Sequence, residues 1–341
     1  MHGVFPELLR KANVIALPKA GSSTDPSDYR GISLLSVFSK ILEKLANSQL
    51  QKYLFDSKIL HTSQYGFIKG KSTELAIHEL LLNINDSLDD GQHALAIFLD
   101  VAKAFDTVNH SLLLFKLKSY GFSTQAVKFF SSYLSGRRLD CVDKSRDLCS
   151  ETFPINYGVP QGSVLGPILF ILFINDLPEV LPLCKIIMFA DDVVIFASHR
   201  DLSVLFQNLG STLLTVSDWY SRNLLALNEK KCQYMLFSRT GSVVSDTFSL
   251  FLNGLELQRV DQFKYLGIIL DENLSFRKYV KTLSLKASRN IGMLTRLRHF
   301  FPKAILKSIY YFFRPTIFSL LHFGLGIYLF VCFQISPNTA E

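Results

Sequence analysis

The sequence predicts an α+β fold in which short buried strands alternate with amphipathic helices. Segments with apolar side chains at helical intervals are separated by short, wholly apolar runs that are typical of buried strands. Two of these runs, within 186–197, are joined by only two residues, as in a β-hairpin. A chain of 341 residues with 48% hydrophobic and 19% charged residues has enough apolar surface for a globular core.

In the first third of the chain, a polar loop at 21–30 precedes two predicted helices. Residues 33–55 carry apolar side chains at helical intervals behind a serine able to cap, and 75–88 show a similar pattern. The apolar run at 94–100 predicts a buried strand that ends in an aspartate. A helix over about 103–120 is expected to stop at the following glycine.

The middle of the chain predicts a buried helix, a hairpin and further strands. Residues 164–173 are apolar all round, which indicates a buried helix. The predicted hairpin at 186–197 is followed by an amphipathic helix at 201–225. The runs at 232–238 and 263–270 are each expected to form one strand.

The charge balance favours a polyanionic partner. Lys and Arg outnumber Asp and Glu by 36 to 29, which gives a formal net charge of +7. A predicted helix at 278–300 concentrates basic residues, and the alternative for it is a solvated helical face. These residues are Lys278, Lys281, Lys286, Arg289, Arg296 and Arg298.

Cysteine usage and the chain ends bear on localisation. The five cysteines are scattered without a C-x-x-C pair, which indicates neither a disulfide framework nor a zinc site and fits the nucleus or cytoplasm. The first residues do not resemble a secretory signal peptide. Residues 316–335 contain no Asp, Glu, Lys or Arg and are long enough to span a bilayer, but their His, Gln and glycines lead us to expect core packing instead.

The hairpin carries the strongest chemical signal. Asp191 and Asp192 are adjacent carboxylates between two strongly apolar runs, and Asp100 ends another apolar run. Carboxylates brought together in this way repel one another unless a cation offsets their charge, and hard oxygen ligands suit Mg²⁺. Three such groups can hold two metal ions for phosphoryl transfer. The alternative for the Asp-Asp pair alone is an ordinary turn.

Several motifs follow one another along residues 5–300. They are YRGISLL (29–35), QYGFIKGKST (64–73), AIFLDVAKAFDTVNH (96–110), YGVPQGSVLGP (157–167), FADD (189–192), LLALNEKKC (224–232) and FKYLGIIL (263–270). In content and order they resemble the finger motifs and palm motifs A to E of the reverse transcriptase domain of LINE-type (non-LTR) retrotransposons, jockey-like ones in particular.

The resemblance implies a right-hand polymerase fold of fingers, palm and thumb, with an antiparallel palm sheet backed by helices. The implied boundaries are 1–93 for the fingers, 94–270 for the palm with a fingers-side insertion near 136–157, and 271–341 for a partial thumb with an atypical or truncated C-terminus. The implied activity is that of an RNA-directed DNA polymerase. Its implied partners are an RNA template, a DNA primer and dNTPs, and its implied cofactor is two Mg²⁺ ions, with Mn²⁺ as the alternative metal.

The resemblance also implies the roles of the catalytic residues. Asp100 and Asp191 match the metal-bridging carboxylates, and Asp192 completes the triad. Lys231 matches the motif D lysine that protonates the departing pyrophosphate. The alternative for Lys231 is a solvated residue before a strand.

Nucleotide contacts are implied in the same way. Phe105 matches the aromatic gate that leaves no room for a 2′-hydroxyl, and its alternative is a core aromatic. Gln161 and Gly162 match motif B positions against the incoming nucleotide, or else belong to a loop before a buried helix. Arg30 is a finger candidate for the triphosphate or the template backbone. The basic helix at 278–300 resembles the start of the thumb, which follows the primer–template duplex.

Neighbouring polar residues and departures from the family pattern complete the comparison. Asp106 is interpreted as a helix-start or structural residue, and His110 as a capping or packing residue. Gly31 stands where the family has proline, and RPTIFSLLHFGLGIYLF (314–330) replaces the usual thumb pattern. We therefore expect a fragment of a larger element, without the upstream endonuclease domain.

Three other functions remain open from the sequence. They are the functions of a catalytically silent nucleic-acid-binding remnant, of a membrane-anchored protein with a palm-like domain, and of an RNA-templated RNA polymerase. The predicted gate at Phe105 argues against the last of these.

Overall fold

The computed structural model describes residues 3–19, 25, 28–143, 148–239 and 248–318. Its helices are α1 (Val37–Asp56), α2 (Thr73–Asp89), α3 (His110–Ser119), α4 (Thr124–Leu134), α5 (Gly166–Phe173), α6 (Leu202–Arg222), α7 (Arg277–Leu297) and α8 (Lys303–Phe318). Its strands are β1 (Lys11–Pro18), β2 (Tyr29–Leu34), β3 (His93–Leu99), β4 (Arg137–Asp143), β5 (Leu148–Cys149), β6 (Phe153–Ile155), β7 (Lys185–Phe189), β8 (Asp192–His199), β9 (Gln233–Phe237), β10 (Phe251–Leu252), β11 (Leu255–Glu256), β12 (Gln258–Arg259), β13 (Gln262–Tyr265) and β14 (Ile268–Asp271).

A five-stranded sheet in the order β12-β9-β3-β8-β7 forms the centre of the fold. Strand β3 lies between β8 and β9 and is antiparallel to both, β7 is antiparallel to β8, and the short β12 runs parallel to β9. The predicted α+β fold with an antiparallel sheet backed by helices is confirmed.

The sheet is buried on both faces, which explains why its strands are apolar without alternation. Leu95 and Ile97 of β3 point into one hydrophobic cluster with α5 and α6. Ala96 and Phe98 point into a second cluster with α2 and the β13–β14 hairpin. Successive side chains of a strand face opposite sides of a sheet, so a strand between two cores needs apolar residues at every position.

A second sheet, in the order β2-β1-β4-β5 with β6 against β4, lies in the predicted finger region. Strands β1 and β2 form an antiparallel pair, and β4 runs parallel to β1. The segment predicted as an insertion near 136–157 therefore adds strands to the sheet that the N-terminal residues begin.

Two predicted helices differ from the structure. Residues 33 and 34 belong to β2, and α1 begins later, with the Ser36 side chain accepting the backbone N–H of Ser39 as its N-cap. The helix expected over 103–120 is split into a 3-10 turn at Ala104–Asp106 and α3. The carbonyl of Phe105, within the 3-10 turn, accepts the N–H of Val159, and the carbonyl of Val108, just before α3, accepts the N–H of Gly158. A continuous helix needs such carbonyls for its own hydrogen bonds, so this tertiary pairing interrupts the helix.

The single strand predicted at 263–270 is a hairpin. Strands β13 and β14 pair from Tyr265↔Ile268 outward, and the turn residues Leu266 and Gly267 have φ values of 44° and 94°. Two consecutive positive φ values are typical of the type I′ turn that joins tight hairpins. The turn was missed because apolar residues flank it on both sides.

The C-terminal part of the described chain consists of α7 and α8, which pack against each other. The apolar segment 316–335 lies outside the described residues from 319 onward. Among the helices that are described, none combines the length and the apolar character needed to cross a bilayer.

Candidate active site

The β7–β8 hairpin presents two carboxylates at one edge of the central sheet. Phe189 pairs with Asp192, so the residues of the turn are Ala190 and Asp191. The prediction that both aspartates form the link is therefore wrong by one residue, because Asp192 is the first residue of β8. Ala190 takes the positive φ of 55° that the turn requires.

The register of β3 brings Asp100 to the same edge. Leu99 pairs with Val193, so the next position on each strand sets Asp100 opposite Asp192. Facing residues of antiparallel strands have Cα atoms about 4.5–5.5 Å apart. The structure thus places the three predicted residues at neighbouring backbone positions, two following or beginning adjacent strands and one in the turn between β7 and β8.

The electrostatic environment of the turn disfavours ionised carboxylates. Loss of hydration raises the pKa of Asp192 to about 6, and the negative charges of Asp191 and Asp100 add to the increase. The pKa of Asp191 is also raised, chiefly by burial and then by the charge of Asp100, while the Arg30 guanidinium opposes the increase. The Asp192 residue is exposed to solvent at the start of β8, so its pKa is that of a hydrated group with unbalanced negative charge around it.

The donor set fits divalent cations that share their ligands with a substrate. Among the described residues, no three His, Cys, Asp or Glu side chains are grouped as the ligands of one metal ion. A metal ion at Asp100, Asp191 and Asp192 would therefore need ligands besides these three side chains. Mg²⁺ suits an open set of carboxylates, because it retains water and takes its remaining ligands from substrate phosphates.

Lys231 lies beside this group. Its Nζ is 4.0 Å from Oδ2 of Asp100, and its side chain is 64% exposed. The segment before it continues the pairing of β3, since the N–H of Asn228 donates to the carbonyl of Asp100 at 2.8 Å and the N–H of Lys231 donates to the carbonyl of Asn228 at 2.9 Å. Lys231 can therefore approach a group bound at Asp100 from solvent.

Phe105 packs against the buried helix α5. Its ring stacks on Phe170 with centroids 4.7 Å apart, and its carbonyl accepts the N–H of Val159 at 2.7 Å. It is only partly buried against the core. Packing on Phe170 fixes one face of the ring, as expected for a core aromatic. The ring also remains partly exposed, as expected for the predicted gate against a 2′-hydroxyl.

Gln161 and Gly162 link the predicted nucleotide site to the finger strand β2. The Ser33 N–H donates to the carbonyl of Gln161 at 2.7 Å, and a Cβ at Gly162, where φ is 101°, would lie 2.8 Å from the Ser33 carbonyl oxygen. The Gln161 side chain donates to Asp106 at 3.2 Å. Arg30 precedes Ser33 on β2 and is exposed, and its charge acts on Asp191.

Asp106 and His110 have structural contacts. Asp106 closes the 3-10 turn and accepts from Gln161, and burial raises its pKa. His110 is the first residue of α3, and its Nε2 lies 2.7 Å from the carbonyl oxygen of Gly158. Burial lowers the pKa of His110, which favours the neutral ring.

Glu43 supports the site and was not predicted. This α1 residue is 0% exposed, and its carboxylate accepts the backbone N–H groups of Val164 and Leu165 at 2.8 and 3.2 Å, just before α5. The first N–H groups of a helix lack partners within the helix, and a carboxylate stabilises them. Its sequence signal is a lone acidic residue at an inward position of an amphipathic helix.

The basic residues predicted to bind nucleic acid are exposed and lie mostly on one side of α7. At about 100° per residue, four of them fall within about 80° of one another around the helix axis, namely Lys278, Lys281, Arg289 and Arg296. Lys286 lies at the border of this face. Arg298 is the C-cap residue and lies about 140° around the helix axis from the centre of this face.

The fold of this chain is similar to that of solved telomerases. A telomerase from Candida tropicalis, determined without ligand and truncated from its C-terminal domain, superposes with a TM-score of 0.51 at 12% identity over 80% of this chain and 55% of that chain. The same organism's telomerase in complex with a TWJ fragment of telomeric RNA gives a TM-score of 0.52 at 11% identity, over 79% of this chain and 44% of that one.

The model of the family described as reverse transcriptase (RNA-dependent DNA polymerase) matches residues 17–270, and the chain belongs to this family. It is 33% identical over 299 residues to a probable RNA-directed DNA polymerase from transposon BS of Drosophila melanogaster, which covers 85% of this chain and 32% of that protein. It is 31% identical to the RNA-directed DNA polymerase from the mobile element jockey of the same organism, over 82% of this chain and 31% of that protein. The predicted relationship to non-LTR retrotransposon reverse transcriptases is confirmed, and the chain spans about a third of the length of these relatives.

Proposed function

We propose that this chain carries the polymerase centre of a non-LTR retrotransposon reverse transcriptase, which adds deoxyribonucleotides to a DNA primer on an RNA template. One observation carries the proposal: the register Leu99↔Val193 sets Asp100 opposite Asp192, with Asp191 in the adjoining turn. Membership of the reverse transcriptase family supports the reaction type.

The proposed reaction is a phosphoryl transfer. The oxygen of the primer 3′-hydroxyl forms a bond to the α-phosphorus of the dNTP, the bond from that phosphorus to the leaving oxygen breaks, and pyrophosphate departs. Asp100, Asp191 and Asp192 would hold two Mg²⁺ ions (Mn²⁺ being the alternative), whose positive charge stabilises the negative charge that develops on the phosphate oxygens. Lys231, beside Asp100, would donate the proton that pyrophosphate takes up.

The proposed nucleotide site lies between β2 and the turn. Phe105, supported by Phe170, would contact the sugar and exclude a 2′-hydroxyl. Gln161 and Gly162 would lie against the incoming nucleotide, and Arg30 would contact its triphosphate or the template backbone. The charge of Arg30 at Asp191 supports a location near the reacting phosphates.

The template and primer would lie along the basic face of α7. Phosphate contacts from lysine and arginine hold a duplex without choosing a sequence. The likeness to a telomerase solved with RNA supports a template of RNA. We propose the boundaries 1–93 for fingers, 94–270 for palm and 271–341 for a partial thumb, and the pairing of β4 with β1 supports the assignment of 136–157 to the fingers side.

Primer extension tests this proposal. The protein is expected to extend a DNA primer on an RNA template with dNTPs and Mg²⁺, and Asp191→Asn and Asp192→Asn are each expected to abolish extension while duplex binding persists. Asp218→Asn is the matched control, because Asp218 is an exposed carboxylate that pairs with Arg222 on α6. Extension by both site variants at the rate of the control would refute the proposal.

The second candidate function is a catalytically silent nucleic-acid-binding remnant. The observation that favours it is the exposed basic face of α7, which could bind nucleic acid whether or not the carboxylates bind metal. It predicts salt-dependent binding of an RNA–DNA hybrid without incorporation of any nucleotide. Duplex binding and extension measured on the same preparation distinguish the two.

A further inference from the structure

The motif at 64–73 supplies none of the groups assigned above to the reaction, yet its first residues lie against the catalytic turn. The N–H of Met188 donates to the carbonyl of Ser63 at 2.9 Å, and the N–H of Tyr65 donates to the carbonyl of Met188 at 2.7 Å. Through these bonds, residue 64 forms a parallel β-bridge with Met188 at the outer edge of β7. The motif therefore extends the central sheet beside the hairpin that carries Asp191.

Gln64 reaches from this edge to the turn itself. Its side chain is 0% exposed, and its Oε1 accepts the N–H of Ala190 at 3.1 Å and the N–H of Gly66 at 2.8 Å. Its Nε2 has no partner. An unpaired buried polar atom destabilises the fold, so the stabilising contribution of this amide comes from the two hydrogen bonds that its Oε1 accepts.

Ala190 is the residue of the turn that most needs this support. It has a φ of 55°, which is uncommon for a residue with a side chain, and it is 3% exposed, so water does not reach its N–H freely. A Cβ at Gly66 would lie 2.6 Å from the Ala190 nitrogen, so the backbone of the motif rests directly on the turn.

We propose that Gln64 is a positioning residue for the metal-binding carboxylates. By accepting the N–H of Ala190, it holds the turn in the conformation that sets Asp191 beside Asp192. This inference rests on the proposed function, and it assigns a role to a motif that contributes no reacting group. Its rival is that Gln64 only stabilises the fold.

Asn175 provides the matched control. It is another buried amide, 3% exposed, and it makes two backbone hydrogen bonds, accepting from the N–H of His61 at 2.8 Å and donating to the carbonyl of Ile59 at 2.9 Å. None of these bonds involves the turn. Gln64→Leu and Asn175→Leu each remove a buried amide with two backbone partners, but only the first frees the turn. Gln64→Met keeps the length and approximate volume of the side chain and serves if the leucine variant does not fold.

The measurement is the binding of Mn²⁺ to the full chain, monitored through the electron paramagnetic resonance signal of the free ion. Thermal melting of each variant is measured in parallel. Loss of a residue that orients metal ligands weakens metal binding by about 10–100-fold, which is the change expected for Gln64→Leu and Gln64→Met. Asn175→Leu is expected to lower the melting temperature without changing Mn²⁺ affinity. Equal Mn²⁺ affinity in the wild type and a folded Gln64 variant would overturn the inference.

Two further readouts separate this inference from the proposed function. Asp191→Asn must weaken Mn²⁺ binding if the carboxylates hold metal at all, so an unchanged affinity there refutes the proposed function rather than the role of Gln64. If neither Gln64 variant folds, hydrogen exchange of the wild type decides. Slow exchange of the Ala190 amide is expected, and exchange as fast as in an exposed loop would overturn the role of Gln64.

Discussion

Replacement of Glu43 by leucine tests how α1 supports the site. The carboxylate of Glu43 accepts the N–H groups of Val164 and Leu165 and the hydroxyl of Ser39, the last at 3.0 Å. Leucine has a similar volume but no acceptor, so the substitution leaves these donors unpaired in a buried place. The affected segment follows directly on Gln161, so the nucleotide site should be disturbed together with α5.

The expected loss follows from the number of donors left unpaired. Each buried backbone N–H without a partner costs about 1–3 kcal/mol, so two cost about 2–6 kcal/mol. The buried Arg137 guanidinium would also lose its favourable interaction with the charge of Glu43, which shifts the result toward the upper end of that range. Because domains of this size are stable by about 5–15 kcal/mol, the variant should be clearly destabilised but still able to fold.

Urea unfolding followed by circular dichroism measures this difference. Glu74→Leu is the control, since Glu74 is an exposed acidic residue in the first turn of α2 and contributes about 0.3–1 kcal/mol through the helix dipole. The midpoint for Glu43→Leu is expected well below that of Glu74→Leu, with the same slope. Equal midpoints for the two variants would show that Glu43 does not support the α5 terminus.

Three further predictions concern the site and the thumb. The folded-state pKa of Asp192 is about 6 against 3.8 for a free group, so the favourable contribution of its protonated form is complete below about pH 4 and is lost as the pH rises through 6. The melting temperature of the metal-free protein should therefore fall as the pH rises from about 4 to 6, and Mg²⁺ should restore it. If the melting temperature of Asp192→Asn depended on pH in the same way as that of the wild type, this prediction would be contradicted. Phe105→Ala is expected to lower the preference for dNTPs over ribonucleotides by about 10-fold or more, measured as the ratio of kcat/KM values, and an unchanged ratio would mean that Phe105 is only a core residue. The double variant Lys281→Ala with Arg289→Ala should lower the slope of log affinity against log salt concentration for hybrid binding by about 1–2. The control Arg298→Ala, off the basic face, should leave this slope unchanged. Equal slopes in all variants would exclude α7 as the phosphate-binding face.

Much of the fold was predictable because its signals are local. The buried helix at 164–173 and the hairpin at 186–197 follow from apolar runs and a short link, and the structure contains both at those places. The motif order led to the reverse transcriptase family, which the match over 17–270 confirms. The hairpin at 263–270 was missed because its turn contains Leu266, a residue without a turn preference.

The supporting residues were not predictable, because their partners are distant in the chain. Gln64 is bonded to a residue 126 positions away, and Glu43 to one 121 positions away. Neither has a neighbour in the sequence that reveals its role. A buried polar residue can be suspected from an inward position on a helix or strand, but its partner is set only when the elements pack.

The amino-acid sequence by itself determined most of the helices and strands and which carboxylates are candidates for chemistry, since hydrophobic periodicity and side-chain chemistry are properties of short segments. The tertiary structure decided the pairing of β3 with β8 that sets Asp100 opposite Asp192, the location of the turn at Ala190 and Asp191, and the buried amide that holds it. These features depend on strand register, and a shift of one residue would turn each side chain of a strand to the opposite face while leaving the composition of the segment unchanged.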